Sequence, residues 1–327
     1  MEEARIACSL GYNVDIIDYE CSSISSDRKY DLFMGFVNHI DILQEGLLND
    51  GCVRIAQLTG AEGGFNSRQE SERRQQMAAR RKELIARERV SDKEVLRNAI
   101  GWFNAAFLLG NEFTWQTYRA ANAFVPPVYY IPNGGLLFDL IEDGRRSAKK
   151  FLFFASSGQI HKGLDLLLEV FSTACRDCEL FVCSLFRQEQ EFCRAYEQEL
   201  FHTPNIHAIG FVDVQGEQFL DVAGQCGYVI IPSCAEGKIG SAMYPMSVGC
   251  VAILSRECGF DEDEAILLRD CSLECLEATV REYAAKDDEW LRRKSRYYHD
   301  IVKERYSREA FTEKFTSALK EVLRNAE

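Results

Sequence analysis

Two successive series of short apolar runs, each run followed by a helical pattern, constrain this chain more than any other feature. The first series is Asn13 to Ile17, Asp31 to Phe36, Cys52 to Leu58, Ala105 to Leu109 and Val128 to Ile131. The second is Phe151 to Ala155, Leu180 to Ser184, Ile206 to Gly210, Tyr228 to Ile231 and Val251 to Leu254. Runs this apolar, separated by amphipathic helices, predict parallel strands covered on both faces. The expected fold class is α/β, with two Rossmann-like parallel sheets. A length of 327 residues suits two such units and is long for a single core.

Between the series stands Pro132-Asn133-Gly134-Gly135, a strong turn signal directly after an apolar strand. A first domain is therefore expected over 1–133, a linker over 134–148 and a second domain over 149–305. After Leu276 the pattern is wholly helical. A closing segment, 306–327, places Phe311, Phe315, Leu319 and Leu323 at helical spacing and is expected to pack back on the first domain.

With 46% hydrophobic and 27% charged residues, the composition is that of a globular chain, so wholesale disorder is not expected. A formal charge of -13 argues against a general nucleic-acid binder. No apolar run approaches the roughly 18 residues that span a bilayer. Met1-Glu2-Glu3 has the wrong charge for a signal peptide, so the expected location is cytoplasmic. Residues 66–98 carry ten Lys/Arg against six Asp/Glu. The plain reading is a solvated helix face on the first domain; the sharper one is a basic surface for an anionic lipid or polysaccharide, hence peripheral membrane association. Thirteen cysteines without a secretory signal read as buried, reduced thiols. Cys175-x-x-Cys178 runs into the apolar ELFVCSL with no second clustered pair, which favours core packing over a metal or redox site.

Three loops of the second half lie where an open α/β sheet binds ligands, beyond the carboxyl ends of its strands. FLFFA is followed by Ser156-Ser157-Gly158-Gln159-Ile160-His161-Lys162-Gly163. Small residues let a ligand approach the backbone, and a lysine beside a helix start suits a diphosphate. YVIIP is followed by Ser233-Cys234-Ala235-Glu236-Gly237-Lys238-Ile239-Gly240-Ser241, where a carboxylate could accept bonds from sugar hydroxyls while turn N–H groups remain for phosphate. At Ile209-Gly210-Phe211-Val212 a strand ends on glycine, an edge against which a flat base could lie. Taken singly, each loop has a plainer reading: a turn, a solvated lysine, or an acid in a helix's first turn.

In this order and spacing the loops resemble the C-terminal domain of glycosyltransferase family 4, retaining enzymes of GT-B fold. The resemblance runs from IPNGG and FLFFASSGQIHKGLDLLLEVF through NIHAIGFVD and YVIIPSCAEG to GCVAILSRECGFDED, most of residues 128–270, and more faintly into the first half. It implies transfer of a sugar from a nucleoside diphosphate donor to a glycan or lipid-linked acceptor, with retention and without a metal or other cofactor. It implies that Lys162 holds the diphosphate and Glu236 contacts the transferred sugar, the two residues that would carry catalysis. Gly158 and the segment Gly237, Lys238, Gly240 and Ser241 would complete the donor site, with Gly210, Phe211 and Val212 beside the base.

Two positions depart from the family pattern. Ser157 stands where an arginine usually binds the diphosphate, and Tyr244 where a second glutamate usually binds the ribose. Serine does not replace a bidentate arginine, so weaker donor binding or a different donor is implied. The chain also opens on ARIACSLGYNVDIIDY, which resembles the family's first helix and second strand. A truncated start or a reduced acceptor domain, with a smaller sheet, is expected. His39, Gly60 and Glu62 are the acceptor-side candidates, His39 having a structural or solvated role as its plainer reading. The rival function is a non-catalytic GT-B-like protein that binds a nucleotide sugar or glycan, or serves as a partner subunit. A dehydrogenase of the dinucleotide-binding kind is disfavoured, since no G-x-G-x-x-G follows an expected strand.

Overall fold

Two parallel sheets organise the chain, as its two series of apolar runs require. The computed structural model describes residues 2–18, 20–21, 26–37, 46–82, 85, 99–135, 137–142 and 144–326. The first sheet contains β1 (Tyr30–Gly35), β2 (Leu48–Leu58), β3 (Ala105–Leu108) and β4 (Val128–Tyr130), side by side in that order. The second contains β5 (Ser147–Phe154), β6 (Glu179–Cys183), β7 (Ile206–Ala208), β8 (Cys226–Ile231), β9 (Val251–Leu254) and β10 (Ile266–Leu267), in the order β10-β9-β8-β5-β6-β7. Every pairing is parallel. The central strands β8 and β9 are buried along their whole length, which is why their sequences are unbroken apolar runs.

Asn13 to Ile17, expected as a strand, is not one. Ile16 and Ile17 are exposed, the segment pairs with no described strand, and Asp15 makes side-chain contacts instead, accepting a bond from Tyr30 Oη at 2.8 Å and pairing with Arg28 at 4.0 Å. Alternation supplies a face, but a strand needs a ladder partner for its backbone groups. The two-residue β10 is too short to have been expected.

The helices are α1 (Glu2–Ser9), α2 (Gly63–Arg81), α3 (Glu112–Ala121), α4 (Leu164–Thr173), α5 (Gln190–Ala195), α6 (Glu197–His202), α7 (Glu217–Gln225), α8 (Gly240–Ser247), α9 (Leu273–Ala284), α10 (Asp288–Tyr306) and α11 (Arg308–Ala326). No described helix is long and apolar enough to cross a membrane. Helix α11 lies on the first sheet: Phe315, Ala318, Leu319 and Val322 share a core with Ile6 of α1, Val53 and Ile55 of β2, and Phe107 of β3. Phe107 and Phe315 meet edge to face, 5.2 Å between ring centroids. All thirteen cysteines are free. Burial pushes the Cys175 and Cys178 thiols up to about 11, so they are packing residues and poor nucleophiles.

Helix α2 corrects a second expectation. Its charged residues are not all on a solvated face: Arg68 and Glu72 are exposed, but Glu70, Arg73 and Arg74 are buried, and Met77 is fully buried in the core of the second sheet. Arg80 pairs with Asp165 at 2.7 Å and Glu169 at 2.9 Å, and Arg81 pairs with Glu199 at 2.5 Å while its guanidinium lies over Tyr196. The basic stripe exists because the helices it meets, α4 and α6, are acidic. Arg80 and Arg81 face the second sheet's helices; Arg68 and Lys82 are exposed, and residues 83–84 and 86–98 of the basic segment lie outside the described residues.

Candidate functional site

Strands β5 and β8 are neighbours, yet the chain leaves β5 toward β6 and β7 and returns through β8 toward β9 and β10. That reversal leaves a crevice at their carboxyl ends, the place where open α/β sheets bind ligands. The loop after β5 and the loop after β8 both end there. Gly163, at φ +79, closes the first loop so tightly that a Cβ on it would lie 2.5 Å from the Pro232 carbonyl oxygen of the second.

The two expected central residues meet in this crevice. The Lys162 ammonium bonds Glu236 Oε1 directly. Ser233 Oγ donates to the same oxygen at 3.1 Å, and His161 Nε2 lies 3.3 Å from it. On its other side His161 Nδ1 is 3.6 Å from Glu70 Oε2 of α2 and 3.6 Å from Cys234 Sγ. Burial alone would raise the Glu236 pKa, but the Lys162 and His161 charges and hydrogen bonds outweigh it and hold the carboxyl well below its usual range. Burial would lower that of His161, but its contacts with Cys234, Glu236 and Glu70 raise it to about 11. At neutral pH the centre is thus a carboxylate held by an ammonium and an imidazolium. Such a group can orient a hydroxyl and present positive charge to a leaving phosphate.

The backbone around Glu236 is joined to the first sheet. Ala61 N–H donates to the Glu236 carbonyl at 3.0 Å, and Lys238 N–H donates to the Leu109 carbonyl at 2.9 Å. Gly237 is wedged between them: a Cβ there would lie 2.3 Å from Leu109 O and 2.8 Å from Thr59 O. Ile239 N–H donates to Cys258 O. The N–H groups of Lys238 and Ile239 are therefore already bonded. The Lys238 side chain points away from the crevice: its ammonium pairs with Glu264 at 2.7 Å and lies over the rings of Phe260 and Tyr306. Gly240 and Ser241 begin α8, and Ser241 Oγ is buried with no hydrogen-bond partner among the described residues. Gly158, at φ +86, donates its N–H to Glu189, whose carboxylate also takes the Gln159 N–H at 3.2 Å.

The other expected residues are spread around this centre. Gly210 (φ +100) lies near the start of the loop after β7, beside Arg187; Phe211 is 67% exposed and Val212 is buried. Tyr244 packs over Gly135 of the connecting segment. Gly60 lies against Gly237, with its carbonyl accepting from Tyr118 Oη at 3.0 Å. Glu62 has a structural role visible in its bonds: its carboxylate caps α2 by accepting from Phe65 N–H at 2.7 Å. His39 lies outside the described residues. Sequence reasoning missed His161 as a participant, and Glu70, Arg73 and Glu189 altogether. The spacing of Glu70, Arg73, Arg74 and Met77, three and four apart, was the available signal for the α2 contacts.

No family model matches the chain, and no curated protein sequence does. Solved structures do, at low identity. Sucrose-phosphate synthase from Thermosynechococcus elongatus superposes with a TM-score of 0.65 at 14% identity, covering 90% of this chain and 74% of that one. Anabaena HepE in complex with UDP-glucose gives 0.62 at 11%, covering 89% and 79%. TarM gives 0.59 at 10%, covering 88% of this chain and 54% of TarM, so this chain spans about half of that protein's length. The chain therefore has the fold of the GT-B glycosyltransferases.

Proposed function

We propose that the chain is a GT-B glycosyltransferase of the family 4 kind, with its donor site in the 149–305 half. It would transfer a hexose from a nucleoside diphosphate sugar to a glycan or lipid-linked acceptor, with retention, in the cytoplasm. The observation that carries this reading is the meeting of Lys162 and Glu236 at the reversal point between β5 and β8. Two loops 74 residues apart supply a cation for a leaving diphosphate and a carboxylate for a sugar hydroxyl. The fold neighbours include HepE, solved with UDP-glucose, which adds support. Lys162 supplies the positive charge on this reading, so turnover is expected to persist in a chelator.

The bonds between Glu236, Lys238 and the first sheet favour a second reading, a non-catalytic nucleotide-sugar or glycan binder, or a partner subunit. Transfer requires the domains to part and reclose around the donor. Calorimetry and product analysis with a panel of nucleoside diphosphate sugars separate the two. Transfer or donor hydrolysis supports the enzyme; affinity without turnover supports the binder. Lys162→Ala should weaken donor binding by about 1.5–3 kcal/mol, the scale of a hydrogen bond to a charged group. Unchanged binding in a variant that melts as a folded protein would remove Lys162 from the donor site.

A further inference from the structure

A separate groove of about 640 Å³ runs between α2 and the carboxyl ends of β8, β9 and β10. Its deepest charged group is Arg73 of α2, only 6% exposed. Arg73 Nη1 donates to Pro232 O at 3.0 Å and lies 2.9 Å from where a Cβ on Gly163 would be, beside the start of α4. The Cys271 thiol lies beside Arg73. Among the described residues no carboxylate is within ion-pair distance of it; Asp165, which feels its charge, is bonded to Arg80. A buried guanidinium has five donors in a planar fork; Asp165 offsets part of the charge of Arg73, but no carboxylate among the described residues bonds those donors.

Around Arg73 the accessible polar lining is Gln69, Gln76 and Ser272, with Arg256 and Arg269 toward solvent; Ser233 and Ser255 also line the groove but are buried, their hydroxyls bonded to Glu236 and to the Ser233 carbonyl. The carboxylates on its lining are already engaged or face outward. Glu257 is paired with Arg256 at 3.3 Å, Asp270 is bonded by Arg269 and Ser272, and Glu72 is exposed beside Gln69.

We propose that this groove binds a sugar phosphate, with the phosphate on Arg73 and the sugar hydroxyls on the wall of Gln69, Gln76 and Ser272. The guanidinium fork matches a phosphate bidentately, and polar walls without an aromatic floor suit a small polyhydroxylated body. The site is distinct from the Lys162–Glu236 centre, although Ser233 touches both. The inference does not depend on the transfer reading.

The probe is glucose 1-phosphate, compared with glucose and inorganic phosphate by calorimetry on the full chain. Saturable binding of glucose 1-phosphate, tighter than either comparison compound, is expected. Arg73→Met should weaken it at least about tenfold, Arg73→Lys less, and Lys162→Ala should leave it within about twofold. Hydrogen exchange on the unmutated protein keeps the test independent of how the variants fold. Added glucose 1-phosphate should protect α2 around Arg73 and the 268–272 segment. No saturable binding, equal binding of inorganic phosphate, or protection confined to 158–163 and 236–241 would overturn the proposal. Loss of donor binding in Lys162→Ala with glucose 1-phosphate binding intact would support it.

Discussion

Gly237→Ala tests whether the two sheets are joined as described. A methyl group at this position would stand 2.3 Å from Leu109 O, 2.8 Å from Thr59 O and 2.9 Å from Gly60 Cα. All three are backbone atoms, so no side chain can swing aside. Ordinary contact begins near 3.4 Å, so the loop and the first sheet must part by about 1 Å. That movement stretches the bonds from Lys238 N–H to Leu109 O and from Ala61 N–H to Glu236 O, now 2.9 and 3.0 Å. Two hydrogen bonds at about 1 kcal/mol each, plus about 1–3 kcal/mol for overpacking, give a destabilisation of about 3–5 kcal/mol. Urea unfolding followed by tryptophan fluorescence and circular dichroism together would read it. Gly51→Ala is the control: nothing lies within 4 Å of its added methyl, and a neutral or slightly stabilising effect is expected. If Gly237→Ala unfolds at the same urea concentration as the parent chain, the backbone junction between the domains is wrong.

Two further outcomes follow from α2 and the buried centre. Met77→Ala removes a fully buried side chain from the second core and should cost about 2–5 kcal/mol in chemical unfolding; a cost near zero would mean α2 does not sit there. His161 is raised to about 11 in the folded chain, above its unfolded value of about 6.5, so its contribution is fully present below pH 6.5 and lost as pH rises through 11. His161→Gln should therefore flatten the alkaline decline in stability between these limits, read as melting temperature against pH. The buried thiols that do not touch His161 contribute equally to both proteins, so identical profiles would count against a charged His161.

The second sheet was legible because hydropathy encodes it. Strands β8 and β9, and β5 from Phe151 onward, are buried on both faces, so each announces itself as an apolar run bounded by turns. The pairing of Lys162 with Glu236 was legible for a topological reason: parallel strands bring their following loops to one end of a sheet. Helix α2 was not legible in the same way. Its inward stripe, the buried Glu70, Arg73, Arg74 and Met77 and the half-buried Arg80 and Arg81, has helical spacing but almost no apolar residue, so a hydropathy reading takes it for a solvated face. Only the acidic partners on α4 and α6, remote in sequence, reveal that it is covered. Glu189 was hidden similarly. Its role is to satisfy the N–H groups of Gly158 and Gln159, thirty-one and thirty residues before it, and nothing local marks that role.

The packing of α11 on the first sheet has a consequence for how the chain is made. The second sheet is drawn from one unbroken stretch, so its strands and helices through α10 can assemble as soon as that stretch has left the ribosome. The first sheet has no such independence. Val53, Ile55 and Phe107 remain without the cover of Phe315 and Leu319 until α11 has been synthesised, after every strand of the second sheet. The half that begins first thus finishes second, and in the interval its apolar face is open to chaperones or to another copy of itself.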